Sequence, residues 1–122
     1  MRIEIILREP ATREDILAAS AKASGVPLSE IKFFESNDDI DWNASGTIVV
    51  IDDRDPPGFV VIEISRKFDP NDPWPSDEEA SRLASIGGVP TYAWDSESLE
   101  EDILIEFTDG RLTARIPFNT DD

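Results

Sequence analysis

The chain has 122 residues, the length of one domain, and it contains neither cysteine nor histidine. These absences exclude disulfides, the usual zinc sites and catalysis by Ser-His-Asp or Cys-His groups. A net charge of −16, from 27 acidic and 11 basic residues, disfavours contact with nucleic acid or an anionic membrane and favours a basic protein partner. The sequence therefore predicts a single domain over residues 1–122 that holds no cofactor.

No apolar run approaches the length that spans a bilayer, and Met1 to Glu4 open on a strand-like alternation instead of a signal sequence. Hydrophobic residues make up 39% of the chain, which is enough for a folded core. We therefore expect a folded, cytoplasmic protein that does not contact a membrane.

The first third of the chain predicts a strand, a helix and a second strand. Arg2–Arg8 alternates as a strand with Ile3, Ile5 and Leu7 on one face. The helix runs from Thr12, which forms a capping box with Asp15, to about Ser24, and Gly25 suits its left-handed C-cap. Its apolar stripe consists of Ile16, Ala19 and Ala23, and the second strand is Leu28–Glu35.

The residues from Thr47 to Ser65 predict a hairpin at the centre of the sheet. Two runs rich in β-branched residues flank a turn at Asp55-Pro56-Pro57-Gly58, so both strands should be buried on both faces. An acidic loop, residues 36–46, precedes this hairpin.

The second half predicts an extended arm, one helix and three strands. Prolines keep the arm out of regular structure, Ser76 and Glu79 start the helix as a capping box, and Asp109-Gly110 favours a tight hairpin turn. The expected segments are the arm Lys67–Pro75, a helix from Ser76 to Gly87-Gly88, strands Val89–Trp94, Ile103–Thr108 and Arg111–Phe118, an acidic loop Asp95–Asp102, and a frayed tail 119–122. Together these segments predict an α+β domain with a mainly antiparallel sheet of six to seven strands and two helices packed on it.

The acidic charge falls in two segments, with net −6 over residues 35–55 and net −9 over residues 69–102. Each tryptophan adjoins one of these segments, and aromatic anchors surrounded by carboxylates are typical of a surface that binds a basic protein. We expect the later segment to make the main contact, with Trp74 as its anchor, although Trp74 and Trp94 could instead cap the core. The predicted partner-binding residues are Trp74, Asp69, Asp72, Asp77, Glu78, Glu79, Asp95, Glu97, Glu100, Glu101, Trp42, Asp39 and Asp41.

Carboxylates could also form a catalytic or a metal site, and Asp52, Asp53 and Asp55 are the most compact group. Turn chemistry beside Pro56 accounts for these acids without a reaction, so we expect no catalytic residues and no metal site. Alternatively, the acidic loops could form a solvated surface that only keeps the protein soluble.

The residues from Arg82 onward, RLASIGGVPTYAWDSESLEEDILIEFTDGRLTARIPF, resemble small bacterial immunity proteins that neutralise contact-dependent or polymorphic toxins. The resemblance covers the C-terminal third of the chain. It implies a small, acidic, cytosolic inhibitor that is not an enzyme and that blocks a basic toxin, often a nuclease. The leading alternative is a nucleic-acid mimic that occupies a DNA- or RNA-binding groove, and a carboxylate-based enzyme comes third.

Overall fold

The computed structural model describes residues 2–35, 46–52, 57–67, 70–71, 73–95 and 102–118. It confirms an α+β fold with two helices and a seven-stranded, mostly antiparallel sheet. The elements are β1 (Arg2–Arg8), α1 (Arg13–Ser24), a 3₁₀ turn (Leu28–Glu30), β2 (Ile31–Phe34), β3 (Thr47–Asp52), β4 (Phe59–Ser65), α2 (Asp77–Ala84), β5 (Thr91–Trp94), β6 (Asp102–Thr108) and β7 (Arg111–Phe118).

The strand order is β2-β3-β4-β1-β5-β6-β7, so β1 occupies the middle of the sheet. The hairpin of β3 and β4 is confirmed, with Val49 opposite Ile64, but it lies to one side of β1 and not at the centre. Every neighbouring pair is antiparallel except β2 and β3, which run parallel. The 3₁₀ turn and β2 together replace the longer strand that was predicted from Leu28.

Local hydrogen bonds explain where β2 and β5 begin. The amide of Glu30 donates to the Pro27 carbonyl at 3.0 Å, which closes the 3₁₀ turn and delays the strand to Ile31. The predicted strand from Val89 begins only at Thr91, because Pro90 has no amide hydrogen to donate to a neighbouring strand.

Both helices begin at the predicted caps. In α1 the Asp15 amide donates to Thr12 Oγ1 at 3.1 Å, the Thr12 amide donates back to Asp15, and Gly25 has φ 74°. In α2 the Glu79 amide donates to Ser76 Oγ at 3.2 Å, but the predicted capping box is only half formed, because the Glu79 carboxylate pairs with Arg82 instead of accepting from the Ser76 amide.

The second helix ends at Ala84, three residues before the predicted stop at the two glycines. The Ser85 hydroxyl donates to the Arg82 carbonyl, and the Ile86 amide donates to Leu83, so the last turn tightens into i to i−3 bonding.

The sheet is buried on both faces. On one face α1 and α2 cover the helix-side core, which consists of Ile3, Ile5, Leu7, Ile16, Ala19, Ala23, Val49, Ile62, Ile64, Ala80 and Ala84. On the opposite face a second cluster contains strand residues only, namely Ile6, Phe59, Val61, Tyr92 and Leu104. Because side chains alternate along each strand, these two sets separate cleanly by face. In the described part of the chain, no helix is long and apolar enough to cross a membrane.

Candidate functional site

A concave surface lies between α2 and the hairpin of β6 and β7, and we call it the α2 groove. Its volume is about 500 Å³, within the range of ligand sites and large enough to take a partner's side chain. It is lined by Ser76, Glu78, Glu79, Arg82, Ile105, Phe107, Leu112 and Arg115.

Two hydrogen bonds at the C-terminal end of α2 hold this helix against the hairpin of β6 and β7. The Ser85 hydroxyl accepts from the Gly110 amide at 2.8 Å, and Asp109 accepts from the Gly87 amide at 3.1 Å. Asp109 and Gly110 have φ of 49° and 81°, which confirms the tight turn predicted at this dipeptide. The hairpin turn and the end of α2 therefore form one rigid unit.

The floor of the α2 groove is apolar. Phe107 and Leu112 lie opposite each other across β6 and β7, and Ile105 precedes them on the same face. Phe107 and Ile105 are buried, whereas Leu112 is 51% exposed. Leu112 thus offers an apolar contact at the surface of the α2 groove.

The arginines of the α2 groove are already paired with acids. Arg115 donates to Asp95 at 2.5 Å, and Arg82 lies 3.6 Å from Glu79. Glu78 is exposed and has no ion pair or hydrogen bond among the described residues. The wall formed by α2 therefore presents one carboxylate without an ion pair among the described residues, that of Glu78, beside the apolar floor.

The structure gives three of the predicted partner-binding acids different environments. Glu78 and Glu79 both line the α2 groove, as one contact surface would require. Asp77 instead accepts from the Glu4 amide at 3.0 Å and connects α2 to β1.

Asp95 is the acid least available to a partner. Its side chain is 7% exposed and is already bound by Arg115. The remaining predicted acids and Trp42 lie outside the described residues, namely Asp39, Asp41, Asp69, Asp72, Glu97, Glu100 and Glu101. The acids weighed for catalysis are also outside, apart from the backbone of Asp52, and so are residues 36–45 of the predicted loop 36–46 and the tail 119–122.

Trp74 is half-buried and packs against the helix-side core. The Arg66 guanidinium lies 4.3 Å from its ring centroid, and Trp74 Nε1 is buried without a hydrogen-bond partner. The ring therefore supports the fold, so the predicted role as an anchor for a partner would be additional to this. Trp94, which could have capped the core, is 38% exposed at the end of β5.

Sequence reasoning missed a cluster on the opposite face of the sheet. Arg8 places its Cζ 5.4 Å from the ring centroids of both Phe59 and Tyr92, and these two rings meet edge to face at 5.0 Å. The Tyr92 hydroxyl donates to Glu106 at 2.6 Å, and Thr113 donates to the other Glu106 oxygen at 2.7 Å. No local motif marks this cluster, because its five members come from five different strands, β1, β4, β5, β6 and β7.

Hydrogen bonding and burial fix the protonation states of this cluster. The bonds from Tyr92 and then Thr113 lower the pKa of Glu106, so it remains a carboxylate at neutral pH. Burial, and next the bond to Glu106, raise the pKa of Tyr92 to about 12, so it remains a neutral phenol. Neither group is suited to exchange protons near pH 7.

Comparisons with known proteins identified no relative. No family model matches the chain, and no curated protein or solved structure does. Among the described residues, no group of three or more acidic side chains is arranged to hold a metal ion. The interpretation of the site therefore depends on its own geometry.

The tyrosine titration can be measured directly, because Tyr92 is the single tyrosine of the chain. We expect its phenolate absorbance to appear near pH 12 and not near pH 10. Since the folded pKa is raised, Tyr92 contributes stability that is complete below its unfolded pKa and is lost as the pH rises through about 12. Glu106 contributes in the opposite direction, and its contribution is lost as the pH falls through its lowered pKa.

Glu106→Gln is the matched variant for this titration. It removes the negative charge but keeps an acceptor for the Tyr92 hydroxyl, so the midpoint should fall while staying above the ordinary value, because burial is the larger cause. Circular dichroism at each pH ensures that the folded protein is measured. An ordinary tyrosine midpoint in a protein that remains folded would contradict the hydrogen-bond geometry.

Proposed function

We propose that this chain is a non-enzymatic binding protein that inhibits a basic protein partner. More specifically, we propose a cytoplasmic immunity protein that neutralises a basic toxin domain, as the resemblance of its C-terminal third implies. The observation that supports this proposal is the α2 groove, where an acidic wall that carries the Glu78 carboxylate adjoins an apolar floor.

The acidic wall and the apolar floor of the α2 groove would affect different rates of binding. Exposed carboxylates such as Glu78 attract a basic partner over a Debye length of about 8 Å at physiological salt, which raises the association rate. The exposed side chain of Leu112 can then be covered by the partner, which excludes water from the contact and lowers the dissociation rate. Charge therefore sets the speed of association, and apolar packing sets the lifetime of the complex.

The chemistry of the described carboxylates favours binding over catalysis. Glu106 and Tyr92 are held in protonation states that do not change near neutral pH. Of the two acids that line the α2 groove, Glu79 pairs with Arg82 and Glu78 is exposed to solvent. These features match an inhibitor that covers a basic surface.

The test uses the purified product of the neighbouring gene as the candidate toxin domain. Stopped-flow association is measured from low to high salt for the wild type and for Glu78→Gln. We expect a rate that falls as salt rises and a slower rate in the variant. Leu112→Ser should leave the association rate nearly unchanged and increase the dissociation rate several-fold. This increase corresponds to a loss of about 1 kcal/mol of binding free energy.

Glu14→Gln is the matched control, because Glu14 is an exposed acid on α1 outside the α2 groove. It removes the same charge and should change the association rate less than Glu78→Gln does. The proposed function would be contradicted if the product of the neighbouring gene does not bind, or if its association rate does not change with salt concentration. If duplex DNA of matched concentration displaces the chain from that product, the nucleic-acid-mimic alternative gains support instead.

A further inference from the structure

A second cavity, of about 320 Å³, lies at the end of β1 and shares no lining residue with the α2 groove. Its walls come from β1, the connection to α1, the first turn of α1, the residues before β5, and β6. It is lined by Leu7, Arg8, Glu9, Pro10, Ala11, Asp15, Val89, Pro90, Tyr92 and Glu106.

One part of this cavity carries the positive charge of Arg8, whose side chain is exposed. The Arg8 Cζ lies 5.4 Å from the ring centroids of both Phe59 and Tyr92, and these cation–π contacts do not use its N–H groups. Among the described residues Arg8 has no carboxylate within ion-pair distance and no hydrogen-bond partner. A planar guanidinium held in this way is suited to bind a carboxylate through two N–H groups.

The other charged residues that line the cavity are acids, namely Glu9, Asp15 and Glu106. The Glu106 carboxylate is fixed by Tyr92 and Thr113, and each of its oxygens has a further lone pair. Glu9 is exposed with no side-chain partner among the described residues, whereas Asp15 is engaged in the cap of α1. An ammonium group is the ligand that such carboxylates would bind.

The cavity also has apolar lining residues. Pro10, Ala11, Val89 and Pro90 line it, and the proline rings restrict backbone motion on both sides. A ligand of modest size with an aliphatic side chain would pack there with little ordering of the protein.

We infer that this cavity binds a free α-amino acid with an aliphatic side chain. Arg8 binds the ligand carboxylate, Glu106 and Glu9 bind its ammonium group, and Val89 and the prolines contact its side chain. A simple anion would be repelled by the carboxylates, and a simple amine would be repelled by Arg8. A zwitterion satisfies both charges, and this ligand site is independent of the proposed partner.

The test is a titration with L-leucine followed by calorimetry and by NMR of the backbone amides. Two analogues provide matched controls: leucinamide lacks the carboxylate, and 4-methylpentanoate lacks the ammonium group. We expect leucine to bind, both analogues to bind at least about tenfold more weakly, and shifts at Arg8, Val89 and Tyr92. Failure of leucine to bind, or equal binding of either analogue, would overturn the inference.

Protein variants check the assignment of the charges. Arg8→Gln and Glu106→Gln should each weaken leucine binding by about tenfold or more, while Arg111→Gln, at an exposed arginine outside the cavity, should not. Arg8→Lys keeps the charge but loses the planar pair of donors, so its binding should be intermediate. Equal affinity in wild type and folded Arg8→Gln would also overturn the inference.

Discussion

Leu104→Ala is expected to lower the free energy of unfolding by about 3 kcal/mol, although no helix residue belongs to the cluster that contains Leu104. Leu104 is 0% exposed and packs with Ile6 and Tyr92, so its removal leaves a cavity as well as losing apolar burial. Urea unfolding followed by circular dichroism measures the effect.

Two variants serve as references for the change in unfolding free energy at Leu104. Ile62→Ala, also at 0% exposure but in the helix-side core, should cost a similar amount. Leu112→Ala, on the neighbouring strand and 51% exposed, should cost less than about 1 kcal/mol. A small effect at Leu104 beside a large one at Ile62 would show that only the helix-covered face is a true core.

Trp74→Ala should lower the free energy of unfolding by about 2–3 kcal/mol, because the ring packs against the helix-side core and stacks under Arg66. Thermal and urea unfolding measure this cost in the absence of any partner. The variant therefore separates the structural role of Trp74 from its predicted role in binding.

Trp74→Phe is the informative control. Phenylalanine keeps an aromatic face for Arg66 and removes the buried Nε1–H, which has no hydrogen-bond partner. The lost volume and the relieved polar group offset each other, so the cost should be less than about 1 kcal/mol. If phenylalanine is as damaging as alanine, the aromatic face does not contribute through packing against the helix-side core and Arg66.

The sequence was most informative where one short segment determines the structure. The Thr12–Asp15 capping box, the Asp109-Gly110 turn and the alternation of β1 each depend on neighbours within a few residues, and all three were predicted correctly. The same reasoning extended α2 to Gly87, because the early stop depends on the side chain of Ser85.

Contacts between distant residues could not be predicted. The middle position of β1 and the parallel pairing of β2 with β3 depend on strand order, for which the sequence carries no local signal. Asp95 bonds Arg115, and Arg8 contacts Phe59 and Tyr92. These contacts join residues on different strands, so they can be identified only once the strand order and the strand register are known. The sequence left open whether Trp74 contacts a partner or caps the core, because its burial depends on packing against residues from several elements of the helix-side core.

The middle position of β1 has a consequence for synthesis of the chain. Arg2 bonds Glu63, 61 positions later, and the other neighbour of β1 is β5, which follows later still. A ribosome adding about 5–20 residues per second therefore exposes Ile3, Ile5 and Leu7 for several seconds before either neighbouring strand emerges. Such long-range pairing slows folding and leaves an aggregation-prone segment uncovered, so we expect the nascent chain to depend on early chaperone contact at β1.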